Sequence, residues 1–276
     1  MDVNLVVLDG SQTAQNAADL AVKLARAAQQ KLFGLYVVDA SLVLDPYASY
    51  QTELGRSDQA GSRTELTEWF EALGNRVLQE FVQMCAEAGI LVETQIVFGG
   101  VSEIILERAA NVQMLTLGRR GREQEQAPEP GNLGENFRHI AHHARIPLLV
   151  GGEIDNPIQH LLLLHDGSPN FGIALDWTVK LQRSLAAEVS VAVMDPGDSK
   201  SIEAEIQEQL AQHELSGYQL KLFPQDDISS VLSWADQSSA DLLLVGSYHH
   251  PEILEWLVGG SIDRILRESH RPVLIG

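Results

Sequence analysis

Residues 4–40, "NLVVLDGSQTAQNAADLAVKLARAAQQKLFGLYVVDA", and residues 160–196, "HLLLLHDGSPNFGIALDWTVKLQRSLAAEVSVAVMDP", follow one pattern. Each runs an apolar strand into Asp-Gly-Ser, then a helix of about sixteen residues by its apolar spacing, then a second apolar strand ending in Asp. The likeness returns near the far ends. "VQMLTLGRRGREQ" (112–124) and "LGENFRHIAHHARIPLLVGG" (133–152) parallel "ADLLLVGSYHHPE" (240–252) and "VGGSIDRILRESHRPVLIG" (258–276). Between the copies, "GGEIDNPIQ" (151–159) punctuates the chain with Gly, Asn and Pro. This divides the chain into domains at 1–152 and 158–276.

Strands are expected in the first half at Leu5–Leu8, Leu32–Val38, Val92–Val97, Met114–Leu117 and Leu148–Val150. In the second half they fall at Leu161–Leu164, Val189–Met194, Gln219–Phe223, Leu242–Val245 and Val273–Ile275. Runs of Val, Leu and Ile that are apolar on both faces suit parallel strands covered by helices on both sides. Helices such as Ala14–Ala27 and Phe171–Ser184 carry apolar residues at three-and-four spacing. The expected fold class is α/β, a five-stranded doubly wound parallel sheet occurring twice. The halves are unequal, because residues 41–70 form a long crossover that the second half replaces with the shorter "PGDSKSIEAEIQEQL" (196–210). Such an insertion is either a lid, with Tyr47 and Tyr50 in reach of a ligand, or a packing arm for a partner; ordinary loop packing is favoured.

The net charge of −19 sets a field that repels nucleic acid and anionic membrane surfaces, so neither is expected as a partner. Cys85, the only cysteine, lies on an apolar helical face, which suits a small buried thiol and excludes an intramolecular disulfide. The first residues, "MDVNLVVLDG", read as a strand and not as a secretory signal, and no apolar run approaches a membrane span. A cytoplasmic location is the expectation.

The Asp-Gly-Ser turn after the first strand, the Asp-ended second strand and the block "DLLLVGS…GG…RILRESHRPVLIG" resemble the universal stress protein family. The resemblance covers essentially the whole chain, as a tandem member. It implies two Rossmann-like domains whose last strands, in "IPLLVG" and "RPVLIG", meet as antiparallel edges, so that the chain is its own pseudo-dimer. It also allows a homodimer of tandem chains. Some members bind ATP, with Mg, and others do not. The implied motif is Gly-x-x-Gly, nine residues, then Gly-Ser or Gly-Thr, where glycines and a helix N-terminus receive phosphate oxygens. An Asp after the first strand would take the ribose, and backbone at the end of the second strand would pair with adenine.

In the second half the resemblance assigns Asp166 to the ribose, Val193 to adenine, and Gly246 and Gly259 to the phosphate loop. His249 stands where a glycine is expected, Gly260 where the hydroxyl is expected, and Ser261 follows one position late. In the first half Asp9, Val37, Gly118 and Gly121 match. Counting back from Pro147 selects Gly134 as the last glycine, with a three-residue insertion in the loop and Glu135 replacing the hydroxyl. A carboxylate there suits the helix dipole and repels a triphosphate. Arg119, Arg120 and Arg122 keep that site open to AMP or another anion. The adjacent pairs His142-His143 and His249-His250 lack the further ligands a zinc site needs. Ser11 and Ser168 are explained by helix capping, and Trp69, Trp177, Trp234 and Trp256 by core or helix–sheet packing. The functional expectation is a stress-response binding or signalling module without a catalytic constellation. One alternative is an ATP- or AMP-binding protein, weakly hydrolytic at most, with a site in one half; another is an interaction scaffold using residues 41–70.

Overall fold

The computed structural model describes residues 3–39, 59–121, 133–152, 157–166, 171–195, 197, 199–246 and 260–276. The first half contains β1 (Val3–Val7), α1 (Gln12–Ala28), β2 (Lys31–Asp39), α2 (Gln59–Glu87), β3 (Val92–Gly99), α3 (Val101–Ala109), β4 (Met114–Leu117), α4 (Glu135–His143) and β5 (Leu148–Val150). The second contains β6 (His160–His165), α5 (Phe171–Leu185), β7 (Glu188–Asp195), α6 (Ser199–Gln212), β8 (Tyr218–Pro224), α7 (Ile228–Gln237), β9 (Leu242–Val245), α8 (Ser261–Glu268) and β10 (Val273–Ile275).

All ten strands form one sheet in the order β3-β2-β1-β4-β5-β10-β9-β6-β7-β8. Pairing within each half is parallel. The halves join through the antiparallel pair β5–β10, with Val273 opposite Val150, Leu274 opposite Leu149 and Ile275 opposite Leu148. These are the two last strands, as the family resemblance implies. Alternation along each strand feeds two apolar layers, one on each sheet face, and both run across the seam. Leu149 and Leu274 enter one layer, Val150 and Ile275 the other.

Local chemistry accounts for the helices. Ser11 caps α1 by accepting from the Ala14 N–H at 3.1 Å, and α1 then buries Ala14, Ala17, Ala18, Ala21 and Leu24 at helical spacing. Four strands, β4, β5, β9 and β10, have the bounds expected from sequence; β1 starts two residues early and ends one short of Leu8, and the others run one or two residues beyond theirs at one end or both. Cys85 is fully buried in α2, and burial pushes its thiol up to about 11.

Two expectations need correcting. The last part of the 41–70 crossover, from residue 59, is not loop but the start of the 29-residue helix α2. Phe70, Leu73, Val77, Leu78, Phe81 and Cys85 give that stretch a helical apolar stripe against the sheet. Residues 40–58, including Tyr47 and Tyr50, lie outside the described residues. Trp69 is 55% exposed and not packed into the core, because Phe70 takes the inward position and meets the Trp69 ring edge-on at 4.9 Å. Trp177 is buried, and Trp234 packs on Phe223 at 5.5 Å; Trp256 lies outside the described residues.

The seam is tight at backbone level. A Cβ on Gly152 would lie 2.3 Å from the Pro272 nitrogen, in the chain leading into β10. Gly152→Ala must therefore open the β5–β10 join, and it should cost about 1–3 kcal/mol in urea denaturation, the range for overpacking. Gly172, inside α5 with open space around its Cα, is the control: Gly172→Ala should gain up to about 1 kcal/mol.

The cores of the halves differ at one strand end. His165 closes β6 where β1 is followed by the buried Leu8, and its ring meets Phe171 edge-on at 4.6 Å. Its Nδ1 is buried without a hydrogen-bond partner among the described residues. Burial lowers its pKa below the ordinary 6.5, against the opposing pull of Asp166 and Glu205. The unfolded chain therefore takes up this proton first as pH falls, so folding stability drops below about pH 6.5 until the folded pKa is reached. Urea midpoints at about pH 8 and about pH 5.5 should diverge more for the parent than for His165→Leu. An equal drop in both chains would clear His165 of this role.

Candidate functional site

In each half the strand order turns around between the first and fourth strands, β1/β4 and β6/β9, and open α/β sheets bind ligands beyond the carboxyl ends of such a pair. In the first half this edge gathers Asp9, Gly118, Gly121 and Gly134. Asp9 follows β1, and one carboxylate oxygen accepts from the Ser11 N–H at 2.9 Å. The other oxygen would lie 3.5 Å from a Cβ on Gly121, so the proposed ribose and phosphate positions are neighbours. Val37 lies near the end of β2, in register with the position of Asp9 beyond β1.

The glycines of this loop serve the protein's own packing. A Cβ on Gly118 would meet the Ala14 nitrogen at 2.6 Å, so this glycine admits the N-terminus of α1 against β4. Thr13 fixes the next residues: its hydroxyl donates to the Arg120 carbonyl at 2.7 Å and lies 3.3 Å from the Arg120 N–H. Gly134 caps α4, and its N–H donates to the Arg119 carbonyl at 3.0 Å. The helix then opens on Glu135, as the count back from Pro147 expects. Arg122 lies outside the described residues.

Arg119 does not turn toward Asp9. Its guanidinium crosses the seam and donates to the carbonyls of Leu266 (3.1 Å), Ser269 and Arg271. These carbonyls close the C-terminal end of α8, where partial negative charge gathers and a cation is favoured. The expectation that Arg119 faces a nucleotide is thereby corrected: the residue ties one half to the other. An arginine in a glycine loop carries no sequence signal for that partner, which is about 150 residues away along the chain.

The second half repeats the arrangement with two differences of register. Asp166 follows β6, half-buried, and Gly246 follows β9, buried. The strand pairing sets His165 opposite Val193, which makes Met194 the residue level with Asp166, as Val37 is level with Asp9. Val193 packs into the layer on the opposite sheet face from Val37, whereas Met194 shares Val37's face. Sequence alignment on the terminal aspartates, Asp39 and Asp195, hid this slip, because the stretch from Asp166 to Asp195 is one residue shorter than that from Asp9 to Asp39. A one-residue slip reverses every side chain.

The other difference lies at α8. Gly260, with φ −77° and ψ 168°, is its N-cap and Ser261 its first residue. Gly260 therefore corresponds to Gly134 and Ser261 to Glu135. The hydroxyl that sequence spacing sets one position late stands at the helix start. Among the described residues no side chain caps this end of α8, nor that of α4. His249 and Gly259 lie outside the described residues. Asp263, in the first turn, is buried and paired with Arg267 at 2.7 Å.

Elsewhere, His143 donates through Nδ1 to the His139 carbonyl (2.8 Å), and its ring stacks on that of His139 at 4.2 Å. Among the described residues no group of three or more His, Cys, Asp or Glu side chains is placed to hold a metal. None of the described helices is long and apolar enough to cross a membrane.

Comparison with known proteins agrees with this architecture. The model of the universal stress protein family matches twice, over residues 3–150 and 157–275. A universal stress protein of Synechocystis sp. is 25% identical over 98% of each chain. Among solved structures, a universal stress protein from Archaeoglobus fulgidus superposes with a TM-score of 0.79 at 15% identity, over 99% of this chain and 97% of that one. A putative universal stress protein from Pseudomonas aeruginosa follows at a TM-score of 0.64 and 16% identity, over 100% of this chain and 92% of that one. Two family matches, one to each half of a single continuous sheet, make this chain a tandem member of the universal stress protein family.

Proposed function

We propose that this chain is a stress-response binding module and not a catalyst, in which only the second half takes an adenine nucleotide. The observation that carries this reading is the unequal chemistry of the two helix starts. In the first half the Gly134 N–H is engaged by Arg119 and the helix opens on Glu135; in the second, the helix opens on the Ser261 hydroxyl. A carboxylate at that place repels phosphate, while a hydroxyl at a helix N-terminus supplies a donor beside favourable partial charge. Asp166 is the group for the ribose, Met194 and Val193 mark the strand end for the base, and Gly246 lets the backbone approach phosphate. AMP, or ATP with Mg, is the ligand class. In the first half Asp9, Val37, Gly118, Gly121 and Gly134 keep the shape of a site whose polar groups hold the fold together.

Calorimetric titration with AMP and with ATP–Mg tests this. The parent should bind one nucleotide per chain, Asp166→Ala and Ser261→Ala should each weaken it about tenfold, and Asp9→Ala should leave it unchanged. Loss of binding in Asp9→Ala, or two equivalent sites per chain, refutes the asymmetry. No binding at all favours an interaction scaffold, for which the exposed Trp69 on α2 is the available anchor.

A further inference from the structure

A cavity of about 320 Å³ opens at the seam, and both halves build it. The first half contributes the start of α1, the Arg119-Arg120 pair, Leu133 and the Gly151-Gly152 step after β5; the second contributes residues 266–270 at the end of α8. Of the residues assigned to the first-half nucleotide site Arg119 lines it, while Asp9, Val37, Gly118, Gly121 and Gly134 do not, so the cavity lies beside that edge, on its seam side. Its floor cannot be filled by side chains. A Cβ on Gly151 would lie 2.8 Å from the Thr13 carbonyl oxygen and 2.8 Å from the Ala17 Cβ, and one on Gly152 would collide with Pro272.

The charge of the lining is opposite to that of the protein. Among the described lining residues Arg119, Arg120 and Arg267 stand against one acid, Glu268, in a chain with 38 acidic residues to 19 Lys and Arg. His270 adds an imidazole. Two of the arginines are held in place: Arg119 by carbonyls at the end of α8, Arg267 by Asp263. Their partners fix the guanidinium positions before any ligand arrives, which lowers the ordering cost of binding. Arg120 is positioned through its backbone, where Thr13 takes both its carbonyl and its N–H. Leu133 and Leu266 supply apolar wall. Planar guanidinium donors of this density match carboxylate and phosphate oxygens, and the volume is at the small end of ligand pockets.

We propose that the seam cavity is a binding site for a small, multiply charged organic anion, assembled only when the two halves are joined. Arg120 and Arg267 contact the anionic groups, and Glu268 limits the affinity. The reading is independent of nucleotide binding in the second half.

The test is calorimetric titration of the full chain with inorganic pyrophosphate and, separately, with citrate. Parent protein should bind one equivalent of at least one probe saturably; preference for pyrophosphate or citrate assigns the natural ligand to phosphates or carboxylates. Arg120→Ala should weaken binding at least about tenfold, and Glu268→Gln, at a half-exposed surface position, should tighten it about threefold. Circular dichroism checks that Arg120→Ala folds, and Glu268→Gln decides the matter if it does not. Absence of saturable binding by both probes, or equal affinity in parent and folded variants, overturns the proposal.

Discussion

The antiparallel pairing of Leu148–Val150 with Val273–Ile275 is the constraint on which the rest of the molecule depends. Each partner strand is three residues long, too short to hold by hydrogen bonds alone. What holds the pair is burial: all six side chains are at most 5% exposed, and each contributes about 1.5–3 kcal/mol when fully removed from water. The pairing also closes the inner edge of both half-sheets, leaving β3 and β8 as the outer edges. Two half-sheets with sticky edges thus become one sheet with two continuous apolar layers.

That join explains why the two halves have not stayed equal. In the first half, the loop after β4 lies beside the seam and has taken on work there: Arg119 caps α8 of the other half, and Thr13 and Gly134 hold the Arg119 and Arg120 backbone; after β5, Gly151 admits α1 and Gly152 admits the Arg271-Pro272 segment of the second half. Once an arginine caps a helix 150 residues away, its charge is no longer aimed at a ligand in its own half. The second half has Ser247 at the position matching Arg119 and so has no equivalent arginine to send back. No arginine of the second-half loop can return that tie, so the two loops differ in chemistry at this position.

Much of the fold was legible because it rests on local signals. Apolar runs bounded by Gly and Asp marked ten strands, the repeat of the pattern marked two halves, and the family resemblance implied their last-strand contact. The misses share one cause, which is that they depend on three-dimensional register. Val193 and Met194 are equally apolar, and only the pairing of β6 with β7 reveals which one is level with Asp166. Gly259 and Gly260 are adjacent glycines, and only the capping geometry of α8 makes Gly260 the end residue and moves Ser261 to the helix start. Trp69 and Phe70 compete for one inward position, and helix rotation, not hydrophobicity, decides it in favour of Phe70. Arg119 shows the limit most clearly, since a guanidinium reaches its partners by folding and not by spacing.

The same tie gives the two candidate ligand regions a physical connection. Arg119 belongs to the loop of the first half, and its guanidinium ends on the carbonyls that close α8. The opposite end of α8 carries Gly260 and Ser261, the proposed phosphate end of the second half. A helix of eight residues spans about 12 Å, so displacement of its C-terminal end is felt at its N-terminus as a rigid shift and not as a local adjustment. Asp263 and Arg267, paired along the same helix face, stiffen that connection from inside α8. An anion drawn into the seam cavity would therefore act on the one element that both regions share. Through Arg119 the glycine loop of the first half braces the C-terminal end of the helix whose first residue is Ser261.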